Sequence, residues 1–160
     1  MMSWAQGPSG VPSSARVDIV TADNVTFSDA FQFDPPGPSG VFNGFAFTGP
    51  TGPTGTQWGF TGMNFTLDIK GNPLQTSPLL SVSNNVAGSV GILIDDFTNR
   101  ILHFNVNQTA LAGATGNMTG VTGPGLIPGE YIYQFRMSDS SNPPIVTDLM
   151  HGKFRLIHGI

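Results

Sequence analysis

General acid–base catalysis needs two titratable groups held in different environments, and this sequence offers few: nine Asp and one Glu, Glu130. Glu130 follows Pro128-Gly129 and opens an apolar-alternating run, where a carboxylate reads as the solvated start of a strand. Asp95-Asp96 offers oxygen ligands to a hard cation. Adjacent carboxylates inside a short turn read as a polar hairpin, however, and no Asp-x-Asp-x-Asp-Gly pattern accompanies them. His103, His151 and His158 are the only imidazoles, and no two of them stand at a close helical or hairpin spacing, so they read as structural rather than as zinc ligands. Cysteine is absent, which removes thiolate chemistry and disulfides. A Gly-x-Ser-x-Gly nucleophile elbow and a phosphate-binding Gly-x4-Gly-Lys-Ser/Thr loop are missing as well. These residue types in these patterns point away from an enzyme and from any cofactor or metal.

Binding chemistry has somewhat more to work with. Trp4 and Trp58 are candidates for stacking on sugars, although a lone Trp beside a strand reads first as a core or interface anchor. Asn24, Asn64, Asn107 and Asn117 each begin an Asn-x-Thr sequon, which a chain so rich in Asn and Thr produces by chance. Arg16, Lys70, Arg100, Arg136, Lys153 and Arg155 are the only strong cations against a net charge of −4, and they form no basic stripe along the sequence. Direct contact with nucleic acid is therefore not expected.

The elements that must position these residues are strands. Met63, Phe65, Leu67 and Ile69 alternate with Asn64, Thr66, Asp68 and Lys70. Tyr131, Tyr133, Phe135 and Met137 alternate with Ile132, Gln134, Arg136 and Ser138, and Phe27, Phe31 and Phe33 share a face that Asp29 interrupts. Further strands are predicted at residues 17–20, 79–83, 89–94, 100–106, 145–149 and 152–158. Turn clusters at residues 71–73, 95–99 and 140–144 separate them at the spacing of an antiparallel sandwich. The one helical candidate is a single turn at residues 108–112 capped by Asn107. Residues 113–128 read as a long Gly/Thr loop whose tip is a contact surface.

Composition agrees with this pattern. Charged residues make up 10% of the 160, while Gly (21) and Pro (13) are abundant, a weakly charged and turn-rich chain that points to assembly. The expected architecture is an all-β, immunoglobulin-like antiparallel β-sandwich with long Gly/Pro-rich loops. Residues 1–14 are expected to form a flexible arm, and residues 15–160 one domain carrying a Pro/Gly-rich insertion at 34–56. The Gly-Pro-Thr repeat inside that insertion is far too short for a collagen triple helix. No apolar run reaches the length of a membrane span, and the first residues lack the basic and apolar regions of a signal peptide, so synthesis in the host cytoplasm without a membrane partner is expected.

Four segments in order carry a family resemblance: Phe60-Thr61-Gly62-Met63-Asn64-Phe65, Leu79-Leu80, Pro128-Gly129-Glu130-Tyr131-Ile132-Tyr133-Gln134-Phe135, and Met150-His151-Gly152-Lys153-Phe154-Arg155-Leu156. Over about residues 15–160 the chain resembles small β-sandwich proteins encoded among phage tail genes, akin to the N-terminal domain of the phage baseplate upper protein. Gln134 stands where that pattern has an acidic residue, and the Pro/Gly-rich insertion is additional. The resemblance implies a structural component of a bacteriophage virion: a tail, collar or baseplate adaptor that docks fibres or neighbouring tail proteins. Its partners would be other virion proteins and further copies of itself in a symmetric ring or array. Alternatives are a capsid decoration protein or head fibre, and a host-glycan-binding module. The candidate assembly contacts are Trp4, Val41, Phe42, Phe45 and Phe47, the last four forming an apolar cluster too large for a lone loop.

Overall fold

The computed structural model describes residues 15–32, 41–42, 45–46, 62–84, 90–96, 101–113, 120–138, 143–144 and 146–160. The strands are β1 (Ala15–Arg16), β2 (Ile19–Ala22), β3 (Phe27–Gln32), β4 (Val41–Phe42), β5 (Phe45–Ala46), β6 (Asn64–Lys70), β7 (Leu80–Ser83), β8 (Gly91–Asp96) and β9 (Ile101–Val106). After the helical turn α1 (Gln108–Leu111) come β10 (Val121–Thr122), β11 (Gly129–Ser138) and β12 (Val146–Ile157). The large sheet runs β1-β12-β11-β6-β7-β10, with β2 also paired to β12, and β3-β9-β8 forms a smaller sheet. The fold is an all-β sandwich. β4 and β5 pair with each other as a separate two-stranded ladder.

Period-two alternation decides which residues lie between the sheets. Phe65, Leu67 and Ile69 from β6, Tyr133, Phe135 and Met137 from β11, and Leu102, Phe104 and Val106 from β9 are all buried. Five phenylalanines link the layers in a chain of ring contacts. Phe154 meets Phe27 edge-on at 5.5 Å, Phe27 stacks on Phe104 at 5.7 Å, Phe104 meets Phe135 edge-on at 5.3 Å, and Phe135 stacks on Phe65 at 5.8 Å. These separations fall in the range favoured by the aromatic quadrupole. The core is therefore anchored by rings from both sheets.

Several local expectations hold. The helical turn is present, and the Asn107 side chain accepts the Ala110 N–H at 2.8 Å as its N-cap. Others need correcting. The ladder is not wholly antiparallel, because β1 and β2 both run parallel to β12. Parallel pairing needs a long crossover, and here almost the whole chain lies between the partners. The segments predicted as strands at 145–149 and 152–158 are one strand, β12. It stays continuous because the extra residue Leu149 is absorbed in an irregularity opposite Phe135 and Arg136. The predicted loop 113–128 contains β10, which extends the large sheet beyond β7, and the Leu126 N–H donates to the Leu111 carbonyl at 2.7 Å to close the segment onto α1.

The expected arm at residues 1–14 and most of the insertion at 34–56 lie outside the described residues.

Candidate functional site

Cross-strand partners share a face, so the register of the large sheet specifies what its outer surface displays. Arg16 on β1 pairs with His151 on β12, which pairs with Gln134 on β11, then Asp68 on β6, Ser81 on β7 and Thr122 on β10. One polar row thus crosses the sheet. In the next row Lys153 and Lys70 flank Ile132. Further rows set Arg155 against Glu130, and Asp148 against Arg136 and Thr66. Five of the six Lys and Arg residues lie on this face, although the sequence scatters them from position 16 to 155.

A groove of about 530 Å³ is cut into this surface, with Arg16, Lys70, Lys153, Asp68, Gln134 and His151 among its walls and Ile132 and Pro73 supplying apolar surface. Its volume lies within the ordinary range for a ligand site. The wall at Asp68 is rigidly built. Asp68, 8% exposed, accepts the Ser81 hydroxyl at 2.6 Å and the Arg136 guanidinium Nη2 at 2.5 Å. A carboxylate with two such donors is fixed in place. On the neighbouring rows the Gln134 amide donates to Asp148 at 2.8 Å.

The other end of the groove depends on an interruption between β1 and β2. The Val17 N–H still donates to the His151 carbonyl at 2.9 Å, but the next acceptor along the ladder is a side chain: Asp18 Oδ1 takes the Lys153 N–H at 3.0 Å. The Val17 carbonyl is thereby freed, and the buried Tyr133 hydroxyl donates to it at 2.5 Å. Gly152, the cross-strand partner of Tyr133, makes this possible, since a Cβ on it would lie 2.2 Å from the Val17 oxygen. Close backbone approach is therefore the role of Gly152.

Electrostatics follow from these contacts. The Lys153 N–H, and then the charges of Arg16 and Lys153, hold the Asp18 carboxyl below its ordinary pKa. Burial, and secondarily the negative charge of Asp18, pushes the Tyr133 hydroxyl well above the usual tyrosine value, so it remains a proton donor. At the chain's end Asp23 accepts the Gly159 N–H at 2.7 Å and contacts His158 Nδ1 at 2.9 Å, and these two hydrogen bonds lower its pKa.

The residues weighed for chemistry are dispersed. His103 lies on β9 of the small sheet with its Nδ1 2.8 Å from Asp95 Oδ1, His151 lies on the outer face of the large sheet, and His158 is beside Asp23. Among the described residues, no three His, Asp or Glu side chains converge as a metal site would need. Glu130 is exposed at the beginning of β11. Of the candidate assembly contacts, Val41, Phe42 and Phe45 fall in the β4–β5 ladder, while Trp4 and Phe47 lie outside the described residues, as does Trp58. The groove itself was missed from sequence. Its signal was the outward half of each alternating strand, which carries Lys70, Gln134, His151 and Lys153 at positions that only the register brings together. No protein family and no curated protein matches the chain in sequence.

Proposed function

We propose that this chain is a non-enzymatic structural subunit of a bacteriophage particle, an immunoglobulin-like module seated in the tail, collar or baseplate that docks neighbouring virion proteins and further copies of itself. The observation that carries the reading is how the ionisable groups are used. Asp18, Asp23, Asp68 and Asp95 are each engaged in contacts that tie strands or the chain's end together. The outer face of the large sheet, meanwhile, presents a broad surface of mixed charge with a groove in it. Mixed polar surface around a recess suits protein docking. The virion setting is supported by the sequence resemblance, whose shared residues Tyr133 and Gly152 meet at a strand junction of the fold.

Negative-stain microscopy of phage particles whose genome encodes this chain, with antibody against it, is the test. Label confined to one end or one ring of the tail is expected. Label over the whole head would favour capsid decoration instead, and particles that carry no label at all would overturn the assembly reading.

A further inference from the structure

We infer that the groove on the outer face of the large sheet is a docking site for an acidic, extended polypeptide segment of a neighbouring protein. Lys70 and Lys153 stand one strand to either side of Ile132, placing their backbones about 10 Å apart across the sheet. Among the described residues neither ammonium takes part in an ion pair. The one carboxylate deep in the groove wall, Asp68, is already held by Arg136 and Ser81, and Asp18 is held by the Lys153 N–H and Arg16. The Lys70 charge is therefore left for a ligand, and the Lys153 charge, which acts on Asp18 without forming an ion pair with it, can be shared with one.

The lining indicates which anion fits. Ammonium groups are compact point charges that suit carboxylates, and two of them this far apart match acidic side chains spaced along an extended chain. Between them Ile132 and Pro73 offer aliphatic surface, and the Gln134 amide, whose nitrogen donates to Asp148, has a carbonyl oxygen able to accept from a main-chain N–H. Saccharides are usually held against aromatic rings. Among the described residues of the groove the sole Phe, Tyr or Trp is Tyr133, whose hydroxyl is committed to Val17 on the core side. This favours peptide over acidic glycan.

The inference takes from the proposed function only the source of the segment, a neighbouring virion protein. Groove binding is read on the isolated chain and the assembly reading on particles, so one can fail without the other.

The experiment is a fluorescence-anisotropy titration of the full chain with labelled oligo-glutamate and oligo-aspartate peptides, and in parallel with oligogalacturonate. Saturable peptide binding is expected, weakened at least about tenfold by the double variant Lys70→Glu/Lys153→Glu and by raising salt from low to high ionic strength. Arg155→Glu, whose cross-strand partner is Glu130 outside the groove, makes the same −2 charge change as Lys153→Glu alone, serves as the control for that single variant, and should bind nearly as well as the parent. Both lysines are on the sheet's outer face, and a matching melting temperature would show the variants to be folded; Lys70→Gln/Lys153→Gln replaces the double variant if it does not. Peptide binding that ignores both lysine variants, or that falls equally with Arg155→Glu, would overturn the inference. So would saturable binding of oligogalacturonate without peptide, or no peptide binding at low salt.

Discussion

The Tyr133 hydroxyl and the Val17 carbonyl are joined by a 2.5 Å hydrogen bond across 116 positions of sequence, and the side chain missing from Gly152 leaves the room for it. This contact pins the interruption between β1 and β2 to the centre of the large sheet. Gly152→Ala is expected to destabilise the fold by about 1–3 kcal/mol, because the new methyl must displace backbone rather than a flexible side chain. Tyr133→Phe leaves the Val17 oxygen without that donor and should cost about 1–3 kcal/mol. Urea denaturation of both variants checks this; losses well under 1 kcal/mol in both would mean that β1 and β2 are not held through this junction.

The same tyrosine makes alkaline stability a specific readout. Its hydroxyl is raised above the ordinary value of 10.0 by burial, with Asp18 adding to the effect. The unfolded chain therefore loses this proton first, so the contribution is complete below about pH 10 and declines as pH rises further. Tyr133→Phe should be less stable than the parent at neutral pH yet show a shallower loss above pH 10. Denaturant midpoints measured against pH would show the two curves converging; parallel curves would mean the hydroxyl ionises as readily in the folded state.

Acid works in the opposite direction through Asp18 and Asp23. Both carboxyls sit below the ordinary value of 3.8 because backbone N–H groups, Lys153 for one and Gly159 for the other, bind the charged form. Their stabilisation is present above the unfolded value and is lost as pH falls through the lower folded value. Asp18→Asn and Asp23→Asn should each flatten the acid limb of the stability profile near and below pH 4; Asp23→Asn should change the alkaline limb little, whereas Asp18→Asn removes a charge that raises the Tyr133 pKa and should also make the loss above pH 10 shallower. Acid-unfolding curves followed by circular dichroism are the measurement.

The aromatic chain through the core sets the largest expected losses. Phe65 and Phe104 are both fully buried, and Phe104 is the ring through which Phe27 and Phe135 communicate across the layers. Phe65→Ala and Phe104→Ala should each cost about 3–5 kcal/mol, as expected for a buried ring removed from a packed core. Chemical denaturation gives the values, and a loss below about 1 kcal/mol at either site would contradict its inward placement.

Strand positions were legible in the sequence wherever one face is buried, because a two-residue period cannot be satisfied otherwise. The β6 and β11 alternations placed Phe65, Leu67, Ile69, Tyr133, Phe135 and Met137 on the buried side, where they lie. The single turn of helix was legible through Asn107, a local signal. Pairing partners were not. Nothing around residues 15–22 states that β1 and β2 will run parallel to a strand formed by residues 146–157, because ladder bonds are made by backbone that every residue shares. The groove was hidden for the same reason. Lys70 and Lys153 look unrelated until Ile132 is seen between them, so the reading of six scattered cations missed a concentration that only register creates. The interruption of the strand at Val17 and Asp18 was equally invisible, since an aspartate replacing a carbonyl in a ladder has no spacing signature.

Quantitative mass spectrometry of gradient-purified phage particles whose genome encodes this chain tests the central claim most directly. A structural subunit must be present in a fixed ratio to the tail proteins, must resist a high-salt wash together with them, and must fractionate with tails when heads and tails are separated. The chain's absence from purified particles, or its loss in the first wash while the particles stay intact, would contradict a structural role in the virion.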